Sequence, residues 1–137
     1  MNRHPLSLQP GTVVEVAIPF GPITIRHPGI VTDQRGRDGL PTVINASKRR
    51  DRTHTEETWT SFTGGGAAVV RHIRSPLSPD ERLRRARADL GRPWNLFHAN
   101  CEHAVARWIG TPETSPQLVT GVLVAALLAT AVVVLRR

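Results

Sequence analysis

The sequence predicts a small α+β domain, in which a small antiparallel sheet packs with two helices, followed by a C-terminal transmembrane helix. Three observations predict it: short β-branched runs separated by Pro and Gly, two capped helical segments after them, and an uncharged apolar stretch at the end. The chain has 137 residues and one cysteine. It therefore has room for one modest core and cannot form an internal disulfide or a multi-cysteine metal site.

Four runs in the first part of the chain predict strands. They cover residues 12–18 (TVVEVAI), 23–32 (ITIRHPGIVT), 41–47 (PTVINAS) and 67–74 (AAVVRHIR). β-Branched residues are enriched in strands, and the Pro, Gly and Asp residues between these runs are typical of turns. The polar residues 48–55 predict an exposed loop, and residues 56–63 predict a short helix that ends at Gly64.

Two helices follow the predicted sheet. Ser78 is a good N-cap, Pro79 suits the first helical position and Glu81 completes a capping box, so we expect a helix over residues 79–90. Asn100 is a suitable cap for a second helix over residues 101–109.

The last part of the chain predicts a membrane span. Residues 118–135 (LVTGVLVAALLATAVVVL) carry no charge. As a helix they would be roughly 27 Å long, close to the ~30 Å hydrocarbon core of a bilayer. The N-terminus lacks the apolar stretch of a signal peptide. We therefore expect a domain over residues 1–110 in the cytoplasm, a linker over 111–117 and a single-pass tail anchor over 118–135. A buried core helix is the alternative.

Cys101 is the first candidate for chemistry. It follows the predicted cap Asn100, and backbone N–H groups in the first turn of a helix favour a thiolate. The neighbours Asn100, Glu102 and His103 are polar, so Cys101 does not sit within an apolar stripe. The alternative is an inert, buried cysteine.

A family resemblance starts from this cysteine. Residues 100–104, Asn-Cys-Glu-His-Ala, resemble the Asn-Cys-Glu-His-Phe signature of the lecithin:retinol acyltransferase domain family, a circularly permuted branch of the papain-like NlpC superfamily. Residues 26–31 resemble that family's strand motif, and residues 43–47 fall where it has its next strand and a second polar active-site residue. Residues 11–14 resemble its opening strand. The resemblance covers roughly residues 10–109 and implies a permuted papain-like fold.

The resemblance also implies a role for each residue. Cys101 would attack an acyl carbonyl and form a thioester, His27 would be the general base, and Asn45 would orient the His27 ring. The implied function is a membrane-anchored thiol acyltransferase or hydrolase that acts on acyl esters or amides, of phospholipid type, without a cofactor or a metal. Two departures are Asn45, where many members have a second His, and Trp94, where Tyr is common.

Two other functions stay open. One is an amidase or peptidase of the NlpC type, and the other is a catalytically inactive, membrane-tethered adaptor. The net charge of +7 and the basic clusters at residues 48–52 and 82–87 suit docking on lipid headgroups, with a solvated face as the alternative. We expect no binding of nucleic acid, because no aromatic side chains are interleaved with these charges.

Overall fold

The computed structural model describes residues 4–47, 53–95, 100–112 and 121–128. Its central feature is a five-stranded sheet in the order β4-β3-β2-β1-β5, and each neighbouring pair is antiparallel. The strands are β1 (Val13–Phe20), β2 (Ile23–Arg35), β3 (Pro41–Ser47), β4 (Thr53–Glu57) and β5 (Ala68–Val70). The helices are a 3₁₀ turn (Pro5–Ser7), α1 (Trp59–Thr63), α2 (Pro79–Ala88) and α3 (Cys101–Ile109). The molecule is therefore a small α+β fold.

The sheet has two buried faces because successive side chains of a strand point to opposite sides. We call the first the α3 face, since its strand residues pack against α2 and α3. It contains Val13, Ile30, Ile44 and Ala46. We call the second the α1 face, since its strand residues pack against Trp59 and Phe62 of α1. It contains Val14, Val16, Val31 and Val43. Which face a side chain occupies decides which functional groups can meet.

The predicted helix caps are confirmed. The side chain of Ser78 accepts a hydrogen bond from the backbone N–H of Glu81, and Pro79 begins α2. The side chain of Asn100 accepts from the backbone N–H groups of Glu102 and His103 at the start of α3. These bonds satisfy N–H groups that have no partner within the helix, so both helices begin where the sequence predicts.

The strand β4 differs from the prediction. Residues 53–55 were expected in a loop and residues 56–57 in a helix, yet Thr53–Glu57 pairs with β3 along its whole length. The alternation of this polar segment explains the strand, because His54 is buried on the α3 face opposite Ala46. Residues 48–52, which hold one of the two basic clusters, lie outside the described residues. Strand β5 is shorter than the predicted 67–74 and pairs with β1 only over three residues.

The predicted transmembrane helix is wrong, and with it the predicted location as a single-pass membrane anchor. In residues 4–47, 53–95, 100–112 and 121–128, no helix is long and apolar enough to cross a membrane. The described helical stretch within the predicted span covers residues 121–128. The rest of the predicted span and residues 113–117 of the predicted linker lie outside the described residues.

Candidate active site

His27 and Asn45 meet on the α1 face of the sheet. His27 lies opposite Val16 of β1, and Asn45 lies opposite Gly29 of the same strand as His27. The Nε2 atom of His27 is 3.1 Å from Oδ1 of Asn45, and Asn45 is fully buried. The ring of His27 also packs against Phe62 of α1, with 5.6 Å between the ring centroids. The imidazole is thus held between a buried amide and an aromatic ring.

A carboxylate and a hydroxyl extend this pair. The Nδ2 group of Asn45 donates to Oε1 of Glu57 at 2.6 Å, and the hydroxyl of Ser61 donates to Oε2 of Glu57 at 2.5 Å. Glu57 is on the α1 face because it lies opposite Val43 in the β3–β4 register. Sequence reasoning missed both Glu57 and Ser61. The signal that could have found Glu57 is the period of two in a strand, but this segment was predicted as a helix.

Gly29 allows this arrangement to be compact. A Cβ atom at this position would lie 2.5 Å from Cγ1 of Val43 and 3.0 Å from Cε2 of Phe62. Both are below an ordinary van der Waals separation, so a side chain here would push α1 away from the sheet. The absence of a side chain at Gly29 therefore lets Phe62 reach the His27 ring.

Cys101 lies on the other face. It occupies the first turn of α3, is partly buried and packs against the core of the α3 face, which includes Val13 and Ile30. His27 points to the α1 face, as its neighbours Val16 and Phe62 show. The structure therefore brings His27 and Asn45 together and places Cys101 across the sheet from them.

The environment of Cys101 favours the protonated thiol. The pKa of Cys101 is raised to about 12, and burial is the largest cause. The carboxylates of Glu102 and Glu15 also raise this pKa, whereas the backbone N–H groups of the first turn lower it. Glu15 is itself buried and pairs with Arg71 at 3.1 Å and with Arg26 at 3.4 Å. The helix start alone predicted a thiolate, but desolvation and two nearby carboxylates outweigh it.

Two other residues singled out in the sequence also pack on the α3 face. Trp94 is partly buried against its core. His103 is buried, and its Nδ1 atom has no hydrogen-bond partner within the described ranges. Among all the residues that the structure describes, there is no group of three or more His, Cys, Asp or Glu side chains that could hold a metal ion.

An open groove of about 560 Å³ lies between the ends of α2 and α3. It is lined by Arg84, Arg85, Ala88, Asp89, Arg107, Trp108, Gly110 and Thr111. The guanidinium groups of Arg84 and Arg85 both bond Glu81, at 2.7 Å and 3.1 Å, and this pairing lowers the pKa of Glu81 to about 2. Three arginines against one aspartate give the lining a positive charge, and the sequence predicted the basic character of α2.

No protein-family model matches this sequence, and no curated protein matches it either. The likeness of residues 100–104 to the acyltransferase signature therefore remains a resemblance between short motifs.

Proposed function

We propose that the domain is a binding module that docks on anionic phospholipid headgroups and does not use Cys101 as a nucleophile. The claim that Cys101 is not a nucleophile depends on one observation: Cys101 and His27 lie on opposite faces of the sheet. A cysteine nucleophile needs a base within hydrogen-bond reach to take its proton. The intervening sheet separates the two groups, and the raised pKa of Cys101 keeps the sulfur protonated at neutral pH.

The groove between the ends of α2 and α3, which we call the arginine groove, supports docking on headgroups. Arg84 is 70% exposed and Arg85 is 42% exposed, so both guanidinium groups can reach a surface outside the protein. Their pairing with Glu81 is solvent-exposed, and exposed ion pairs are weak because water and salt screen them. A phosphate group offers the bidentate geometry that a guanidinium prefers, so it can compete with the Glu81 carboxylate.

Co-sedimentation of the full chain with vesicles tests docking. We expect binding to vesicles that contain phosphatidylserine and weaker binding to pure phosphatidylcholine, with the difference reduced by salt. Each basic residue near an anionic surface contributes about 1 kcal/mol, so R84Q/R85Q should weaken binding by roughly 30-fold. The matched control R35Q/R37Q removes the same charge from the end of β2 and the turn that follows it, outside the groove, and should cost less.

The variant E81Q gives an opposite expectation. It releases Arg84 and Arg85 from their carboxylate partner, so binding to phosphatidylserine vesicles should become tighter. Equal losses in R84Q/R85Q and R35Q/R37Q, together with no gain in E81Q, would show that the groove is not the docking site.

A second candidate is thiol acyl transfer or hydrolysis, and the His27–Asn45 hydrogen bond favours it. In that reaction Cys101 Sγ attacks the carbonyl carbon of an acyl ester or amide, its proton passes to the His27 ring, and the alcohol or amine leaves with that proton. The resulting thioester then passes its acyl group to an acceptor or to water. It requires a rearrangement that brings His27 and Cys101 to one side of the sheet.

Mass spectrometry of the intact chain separates the two candidates. After incubation with a short-chain phospholipid or an acyl amide, the binding module should show no acyl adduct on Cys101. An adduct that is absent in C101S and slowed in H27A would support the enzyme and contradict the proposal. Turnover of the amide rather than the ester would identify the amidase alternative.

A further inference from the structure

We infer that Glu57 is a positioning residue that sets the tautomer of His27 through Asn45, so that Nδ1 of His27 is the proton acceptor of the ring. The inference concerns the imidazole alone and goes beyond the proposed function, because it holds whether or not Cys101 reacts. It rests on three hydrogen bonds in series, from Ser61 to Glu57, from Asn45 to Glu57, and between Asn45 and His27.

Glu57 fixes the orientation of the Asn45 amide. A side-chain amide has a donor end and an acceptor end, and a carboxylate only accepts hydrogen bonds. The 2.6 Å contact with Oε1 of Glu57 therefore requires the NH₂ group of Asn45 on that side. Rotation of the amide by half a turn would bring its oxygen against the carboxylate and leave two acceptors in contact in a buried site. Burial makes such a mismatch costly, since Asn45 is fully buried.

The Asn45 amide carries this orientation to the imidazole. With the NH₂ group facing Glu57, the Oδ1 atom of Asn45 faces Nε2 of His27 at 3.1 Å. The amide oxygen is an acceptor, so Nε2 of His27 carries the proton. A neutral imidazole has one protonated nitrogen, and the lone pair is therefore on Nδ1. A ring in this tautomer accepts a proton or a hydrogen bond at Nδ1.

The Glu57 carboxylate is itself held in place by α1 and by β4. The hydroxyl of Ser61 holds Oε2 of Glu57 from within α1, and the cap Thr58 fixes the start of that helix. The backbone of β4 fixes the other end, because Glu57 lies opposite Val43. Held from both sides, the carboxylate keeps one oxygen aimed at Asn45. Glu57 thus determines, through Asn45, which nitrogen of the His27 ring carries the proton.

In this tautomer Nδ1 is the basic atom of the imidazole, and Asn45 and Glu57 supply the orientation of the ring. This chemistry differs from anion binding by the arginine groove, which lies at the ends of α2 and α3. Success or failure of headgroup docking therefore leaves this inference unaffected.

Nitrogen NMR of the ¹⁵N-labelled full chain tests the inference, because the shifts of the two ring nitrogens report which of them carries the proton. We expect a pyridine-type shift for Nδ1 and a pyrrole-type shift for Nε2 of His27. In E57A the Asn45 amide is free to rotate, so the two shifts should move toward the average of both tautomers. In E57Q the carbonyl oxygen of the new side-chain amide can still accept from Asn45, so the original shifts should return.

The control E56A removes the neighbouring carboxylate, which bonds Thr32 and Thr42 on the α3 face. It should leave the His27 shifts unchanged, which separates the effect of Glu57 from a general effect of lost charge in β4. A proton on Nδ1 in the unsubstituted chain would overturn the inference, and this result needs no folded variant. Unchanged shifts in a folded E57A would overturn the role of Glu57.

Discussion

Asp89 holds the ends of α2 and α3 together, and its removal should be strongly destabilising. Its Oδ2 atom accepts from Nη2 of Arg107 at 2.8 Å, from Nε of Arg107 at 3.1 Å and from Nε1 of Trp108 at 2.9 Å. Partial burial raises the pKa of Asp89, but these hydrogen bonds and the charge of Arg107 outweigh it and the pKa is lowered. The folded state therefore favours the ionised carboxylate.

The expected loss follows from the burial of the partners. The side chain of Arg107 is 16% exposed and that of Asp89 is 18% exposed, and Trp108 is fully buried. D89A leaves a mostly buried guanidinium without its counter-charge and a buried indole N–H without its acceptor. Breaking a buried pair costs about 3–5 kcal/mol, and the residual exposure of this pair lowers our expectation to about 3 kcal/mol. That is a large part of the stability of a small domain.

Urea unfolding followed by Trp fluorescence measures this loss, and Asp33 provides the matched control. Asp33 also pairs with an arginine, Arg87, but the side chains are 48% and 38% exposed. D33A should therefore change the free energy of unfolding by less than about 1 kcal/mol. Losses in D89A and D33A that agree within experimental error would refute the reasoning from burial.

Three further substitutions have defined outcomes. Gly11 has a φ of 81°, and a Cβ there would lie 2.4 Å from the carbonyl oxygen of Pro79, so G11A should lower the melting temperature and separate α2 from the sheet; an unchanged melting temperature would contradict this contact. Asn100 bonds two N–H groups at the start of α3, so N100A should cost about 1 kcal/mol in urea unfolding, and N100D should recover most of it. His54 is buried with Nδ1 donating to the carbonyl of Arg92, and burial lowers its pKa. The unfolded chain therefore protonates this histidine at a higher pH than the folded chain does. The free energy of unfolding should fall as the pH drops from 6.5, the ordinary pKa of histidine, to the lowered pKa of the folded chain. H54N should flatten this slope, and an equal slope in both chains would exclude His54 as its source.

Local patterns predicted most of the sheet and both long helices. The strands around Val13, Ile30 and Ile44 are β-branched runs, and Ser78 and Asn100 cap their helices through hydrogen bonds that depend only on neighbouring residues. The strand β4 was missed because its sequence is polar, and its pairing with β3 comes from tertiary contacts. The terminal span was predicted from the length and apolar character of residues 118–135, and within the part of the chain that the structure describes no helix is long and apolar enough to cross a membrane.

Only part of the candidate site could be predicted from the sequence, because its geometry depends on tertiary contacts as well as on local patterns. His27 and Asn45 lie on adjacent strands, so their contact follows once the register of β2 and β3 is known. The face of the sheet on which His27 lies depends on register, because a one-residue change of register moves a strand side chain to the opposite face. The face against which α3 packs depends on tertiary contacts, which no sequence motif specifies. The resemblance to the acyltransferase signature implied that Cys101 lies beside His27, and the packing of α3 on the other face separates them.

The alkylation rate of Cys101 by iodoacetamide tests the central claim most directly. A pKa of about 12 instead of the ordinary 9.0 reduces the thiolate fraction near neutral pH about 1000-fold, and the higher basicity of that thiolate recovers roughly 20-fold. We predict a rate about 50-fold below that of the urea-unfolded chain, rising with pH up to the limit of stability and unchanged in H27A. A rate above that of the unfolded chain that levels off near neutral pH and falls in H27A would contradict the separation of the two groups.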